Sequence, residues 1–191
     1  MNNTIALREE TKMKKFLLTL ISTILLTLNA QAANPENTLV MQLKDGNVYI
    51  EMYPEIAPNH VTRIKELVRQ GFYNGLTFHR VIDGFMAQTG DPRGNGTGGS
   101  GQNIKAEFNN FHHGRGTVSM ARAANPDSAD SQFFICFDEA GFLDGQYTAW
   151  GKVIDGMEYV DNIKRGDKTR NGTVNNPDKI ISMSVLADIK E

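Results

Sequence analysis

Apolar, β-rich runs at residues 38–44 and 47–52 flank Asp45-Gly46, and a turn-forming pair between two such runs predicts an antiparallel hairpin. Pro54 to Pro58 interrupts the strand pattern. Val61, Ile64, Leu67 and Val68 then recur at helical spacing, with Pro58 near the first turn and Gly71 just past the end, so one amphipathic helix is expected there. Short strand candidates follow at 77–82, 85–89, 116–121, 132–137, 149–153 and 180–187, separated by clusters of Gly, Asn, Asp and Pro. A second short helix is expected at 157–164. Eight strands and two helices suit a mainly β fold, a closed eight-stranded antiparallel barrel capped at its ends, because closure removes exposed edges.

Two of these strands place polar groups among apolar ones. In FHRVIDGFMAQTGDPRGNGTGG, residues 78–99, strand alternation puts Arg80 on one side with Phe78 and Ile82, and His79 opposite as a satisfied structural histidine. A glycine-rich loop follows. In SQFFICF, residues 131–137, Gln132 shares a face with Phe134 and Cys136. Each strand therefore offers a polar group beside an aromatic one.

These segments resemble the signature of the cyclophilins, the peptidyl-prolyl cis/trans isomerases built on a closed antiparallel β-barrel. SMARA (119–123), FLDG (142–145), WGKVIDGME (150–158) and the terminal IISMSVLADI fall in the same order, so the resemblance spans residues 37–191. It implies that Arg80 and Gln88 are the catalytic residues, with Arg80 donating to the prolyl nitrogen in the twisted transition state. Gln88 and Gln132 would hold the substrate carbonyl region and orient the arginine. Phe85, Met86, Phe134 and Leu143 would line a socket for the proline ring, and the backbone of Ala121, Arg122 and Ala123 would pair with bound peptide. Gly96 belongs to the loop expected to border the groove. Phe142 stands where the best-known eukaryotic members carry tryptophan, Tyr147 where they carry histidine and Arg122 where they carry asparagine. Loss of the indole donor implies weakened cyclosporin binding.

A guanidinium suits such a task because it stays charged and presents fixed donors, while aromatic and thioether surfaces pack well on a pyrrolidine ring. No bond need be broken, and no cofactor or metal is expected.

With 191 residues and 40% hydrophobic content the chain can bury one substantial core, and Lys+Arg 20 against Asp+Glu 22 gives no global field toward nucleic acid or an anionic membrane. The N-terminus differs in character. Lys14 and Lys15 precede an apolar run from Phe16 to Leu28 that ends in Ala30, Gln31, Ala32, the order of a secretory signal peptide. Residues 1–32 are read as that signal, with Met13 as an alternative start, and 33–191 as one isomerase domain that works in the periplasm. No lipobox cysteine follows the run. Cys136, the single cysteine, reads as a small buried hydrophobe.

Other chemistries find little support. GNGTGG (94–99) satisfies G-x-G-x-x-G, but no apolar helical period opens after it. Adjacent His112 and His113 read as a solvated loop rather than a metal site, and His60 as a surface helix residue. Ser119 lies in a strand without a nucleophile elbow, which argues against a hydrolase triad. The stretches 127–130 and 164–176 read as solvated loops. The expected partners are proline-containing unfolded polypeptides, met by a monomer that binds neither nucleic acid nor, once the signal is cleaved, membrane. A proline-peptide binding module or holdase with incidental catalysis is the competing reading.

Overall fold

The computed structural model describes residues 34–190; the stretch 1–32, expected from the sequence to be a signal peptide, lies outside the described residues. Strands β1 (Thr38–Gln42) and β2 (Asn47–Met52) form the expected hairpin, with Gln42 opposite Asn47. Gly46 closes its turn by accepting the Leu43 N–H at 2.9 Å, and a Cβ there would enter the Tyr159 ring.

Helix α1 (Pro58–Arg69) buries Val61, Ile64, Leu67 and Val68. Ala57 offers no capping side chain. The Glu107 carboxylate, remote in sequence, caps the helix instead, accepting the Asn59 N–H at 3.1 Å and the His60 N–H at 3.0 Å. It also reaches His60 Nδ1 at 2.7 Å, so His60 is fully buried and not on the surface as its helical position suggested.

The remaining strands are β3 (Arg80–Ile82), β4 (Met86–Thr89), β5 (Thr117–Met120), β6 (Phe133–Cys136), β7 (Ala149–Asp155) and β8 (Ser182–Val185). Helix α2 (Met157–Asp161) follows β7. All ladders are antiparallel, in the order β3-β4-β6-β5-β7-β2-β1-β8.

The closed barrel expected from the sequence is corrected here: the sheet is an open half-barrel, with no ladder between its edge strands β3 and β8. Chain from 166 to 180 covers the seam. Its contacts are the isolated bridges Thr77↔Lys179 and Arg80↔Thr173, together with Val81 N–H to the Gly172 carbonyl (2.8 Å) and Gly166 N–H to the Val81 carbonyl (2.9 Å). Such close passage needs glycine, since a Cβ on Gly166 would fall on the Gly172 carbonyl. The stretch 164–176 is therefore docked in part rather than simply solvated, with Val174 buried. A covering loop protects a strand edge as closure would.

The sheet separates two apolar clusters. Its inner face holds the main core, including Leu39, Ile50, Val81, Ala87, Phe133, Ile135 and Trp150. Alternation sends Met86, Phe134 and Cys136 to the outer face, where they pack with Ala140 and Leu143. Phe78 does not share Arg80's side: residues 77–79 precede the regular strand, and Phe78 joins the main core. Among the described residues no helix is long and apolar enough to cross a membrane.

Candidate active site

The outer face of β3, β4 and β6 carries a groove of about 270 Å³ lined by Arg80, Phe85, Met86, Gln88, Ala121, Arg122, Phe134, Phe142, Leu143 and Tyr147. A second depression of about 380 Å³ adjoins it and brings in Gly96, Ala123 and Gln132. Gln88, Ala121 and Arg122 belong to both. All the site residues named from the sequence thus meet in one continuous surface feature, although they span positions 80 to 147.

Register explains the convergence. Arg80 pairs with Gln88 across β3 and β4, and Gln88 with Phe134 across β4 and β6. Their side chains therefore stand in one row on the outer face. Arg80 Nη1 donates to Gln88 Oε1 at 3.1 Å, and Gln88 Nε2 donates to Gln132 Oε1 at 2.9 Å. Gln132 Nε2 in turn donates to the Gly98 carbonyl at 2.7 Å and the Gly96 carbonyl at 3.1 Å. A hydrogen-bonded line runs from the guanidinium to the glycine loop.

Arg80 has no carboxylate partner among the described residues. Its other donors go to Asn171, with Nε to the carbonyl at 3.1 Å and Nη2 to Oδ1 at 3.0 Å. Burial draws the guanidinium below its ordinary value, yet arginine remains charged at any working pH. The result is a cation held by neutral acceptors at the rim of an apolar socket.

That socket is aromatic. Phe85 and Phe142 lie 5.4 Å apart, Phe134 meets Tyr147 edge to face at 6.0 Å, and Phe142 is 66% exposed. Beneath it, burial pushes the Cys136 thiol up to about 12, which fits the inert apolar role expected for it.

Four supporting residues escaped the sequence reading. Asn171 adopts φ 52° just before Gly172, so the Asn-Gly pair was the available signal. Asp91 is buried and accepts the N–H groups of Arg93 (2.7 Å), Asn95 (3.0 Å) and Gly96 (2.6 Å), folding the glycine loop around one carboxylate. A Cβ on Gly98 would strike Asp91 Oδ1. His113 and Asp144 are the other two.

His113 corrects the expectation of a solvated pair: only His112 is exposed, while His113 lies wholly buried with its ring 6.3 Å from Phe134 and nearly parallel to it. Its Nδ1 is 2.8 Å from Asp144 Oδ1 and its Nε2 is 3.0 Å from Ser119 Oγ. Hydrogen bonds from His112 and the His113 backbone hold Asp144 down to about 2, so it is an ionised acceptor. The proton of neutral His113 therefore sits on Nδ1, and Nε2 accepts from the Ser119 hydroxyl. This Asp-His-Ser chain has the geometry of a nucleophile relay, but Ser119 is 0% exposed and opens onto neither depression. Its effect is structural: Asp144 follows directly on Phe142 and Leu143 and ties them to the residue under Phe134.

His79 also departs from expectation. It is buried beneath the glycine loop and neither ring nitrogen has a hydrogen-bond partner.

Residues 38–185 match the family model for cyclophilin type peptidyl-prolyl cis-trans isomerase. The chain belongs to this family. It is accordingly an isomerase of the peptidyl-prolyl cis-trans type. It is similar to a probable peptidyl-prolyl cis-trans isomerase of Brucella suis, 56% identical over 173 residues that cover 84% of this chain and 88% of the relative. Likeness to peptidyl-prolyl cis-trans isomerase B of Bacillus subtilis is 48% over 128 residues, 65% of this chain and 89% of that one. Among solved structures, a cyclophilin from Hirschia baltica superposes with a TM-score of 0.74 at 30% identity, covering 83% of this chain and 77% of its own. A Cryptosporidium parvum cyclophilin-type isomerase, crystallised in the presence of the dipeptide Ala-Pro, gives 0.71 at 29% identity, covering 78% and 98%.

Proposed function

We propose that this cyclophilin accelerates X-Pro isomerisation in exported polypeptides as they fold, with Arg80 as the catalytic donor. The observation that carries the reading is the Arg80 guanidinium, free of any carboxylate among the described residues and fixed by Gln88 and Asn171 beside an apolar socket.

Rotation about X-Pro meets a barrier of roughly 18–20 kcal/mol because the amide C–N bond has partial double-bond character. In the twisted state conjugation is lost and the prolyl nitrogen gains a lone pair able to accept a hydrogen bond. A donor aimed there favours the twisted state over either planar form, which is the condition for catalysis. Phe85, Met86, Phe134 and Leu143 would grip the ring, while Gln88 and Gln132 would fix the donor and the substrate carbonyl region. Ala121, Arg122 and Ala123 would offer backbone to the peptide, with Gly96, Phe142 and Tyr147 bordering it. The Ala-Pro dipeptide used with the Cryptosporidium relative supports proline peptides as the substrate class. Export is supported by Lys14-Lys15, the apolar run 16–28 and Ala30-Gln31-Ala32.

The test is NMR exchange between cis and trans Ala-Pro in a short peptide, with the 33–191 chain and its Arg80→Ala variant. Loss of one donor to a transition-state charge costs about 10²–10³ in rate, so the variant should lose most catalysis while still binding peptide. Full activity in Arg80→Ala refutes the assignment. A folded wild type that binds peptide without accelerating exchange favours the binding-module reading.

A further inference from the structure

The groove is cationic on a chain whose net charge is −2. Two guanidinium groups, Arg80 and Arg122, line the 270 Å³ socket, and no Asp or Glu does. Arg122 forms no ion pair among the described residues. Its donors go to backbone carbonyls instead, Nη2 to Gln146 at 3.0 Å and Nη1 to Ala123 at 3.0 Å. Two aromatic rings hold its plane, Tyr147 at 4.6 Å and the 41% exposed Phe108 at 5.7 Å from the guanidinium carbon. Carbonyl dipoles and ring faces orient a charge without neutralising it.

Position makes that charge useful. Arg122 belongs to the lining of both depressions and so stands on the ridge between them. With a proline in the aromatic socket and its prolyl nitrogen at Arg80, a preceding residue that runs on into the adjoining depression would pass Gln88 and Ala121, which line both, and cross this ridge. One carboxylate lies nearby in the second depression. Asp130 is turned toward the 100–101 loop, with Oδ1 taking the Ser100 N–H and hydroxyl and Oδ2 the Gly101 N–H; these neutral donors leave its charge in place, so the preference set by Arg122 is net of it.

We infer that Arg122 is a specificity-determining residue that makes this enzyme favour an acidic residue immediately before proline. The inference rests on the isomerase reading above. Opposite charges about 4 Å apart in water gain enough to change kcat/KM roughly three- to tenfold. The resulting order is Glu-Pro above Gln-Pro above Lys-Pro.

The experiment measures kcat/KM by NMR exchange, which needs no coupling protease, for Ala-Xaa-Pro-Phe peptides with Xaa Ala, Glu, Gln or Lys, each normalised to its uncatalysed rate. The wild-type Glu/Lys ratio should be about three to ten at low salt and fall toward one near 0.5 M salt, as screening requires. Arg122→Lys should keep most of the ratio and Arg122→Gln should lose it. A clamp that merely positions Tyr147 would instead lower all four rates together and leave the ratio intact, which overturns the inference. A wild-type ratio of one overturns it without any variant, so a poorly folding Arg122→Gln does not shelter it. Catalysis of Ala-Ala-Pro-Phe with a ratio of one leaves the isomerase reading standing; no acceleration of any peptide removes both.

Discussion

Lowering the pH from about 6.5 to about 5.5 is expected to destabilise this fold by as much as about 3 kcal/mol, because three imidazoles are buried in the neutral form. His60, His79 and His113 all have their pKa lowered, with burial the largest cause in each. In the unfolded chain each titrates near 6.5, so below that value the unfolded state binds protons that the native state refuses. Stability is therefore intact above about 6.5 and is lost as pH falls toward the native values. If a ring stays neutral in the native state, its share over that one-unit step is about 1 kcal/mol. His112 acts in the opposite sense, since Asp144 and then Glu139 raise its pKa. Its contribution is complete below about 6.5 and is lost only as pH rises through the native value, so it does not vary inside the window. Asp91, Glu107 and Asp144 have lowered pKa values, and their contributions fade only near or below about pH 4.

Urea unfolding at the two pH values measures the loss, and His79→Leu isolates one share of it. That ring leaves both nitrogens buried without partners, so an apolar replacement of similar size should match or exceed wild-type stability near pH 7.5. The variant should also lose less stability between the two pH values, by up to about 1 kcal/mol. Equal stability of the wild type at both pH values, or an undiminished pH response in His79→Leu, would refute the reasoning.

Asn171→Ala removes the side-chain Oδ1 acceptor of Arg80 Nη2 and leaves the backbone carbonyl that takes Nε, and kcat/KM should drop several-fold with the fold intact, as exchange measurements and a melting curve can check. Unchanged kinetics would mean that Gln88 and the residue-171 carbonyl suffice to fix the guanidinium. Gly98→Ala drives a methyl group into Asp91 and should cost about 1–3 kcal/mol while disturbing Gln132 through the Gly98 carbonyl, so lowered stability and lowered rate are expected together. A fully active, fully stable variant would show that the loop accommodates a side chain there. Phe134→Ala opens the socket floor and should cost about 3 kcal/mol of stability and raise KM, whereas a rise in neither quantity would remove Phe134 from the socket.

The parts of the molecule legible in the sequence are those governed by local pattern. The hairpin at Asp45-Gly46, helix α1 and the outward row of Gln132, Phe134 and Cys136 follow from spacing alone, because strand and helix periods fix which side chains share a face. Arg80 and its companions came from resemblance, and the structure brings them into one groove. What stayed hidden depends on contacts distant in the chain. His60 looked exposed because its burial depends on Glu107, and His113 because its partners are Asp144 and Ser119. Phe78 broke the alternation because residues 77–79 do not lie in a ladder, which no period can foretell.

The open seam and the site depend on one another. Ladder pairing between β3 and β8 would leave no room for the chain from 166 to 180, and that chain carries Asn171. Arg80 sits on the edge strand, its backbone bridged to Thr173 and its side chain gripped two residues earlier. An inner strand would have flanked it with another row of side chains instead of a loop able to turn a carbonyl and an amide oxygen toward one guanidinium. Gly166 and Gly172 let that loop lie against Val81. The edge left open in the sheet is thus where the loop can orient the cation, and a redesign that zipped β3 to β8 would gain hydrogen bonds at the seam while releasing Arg80 from Asn171.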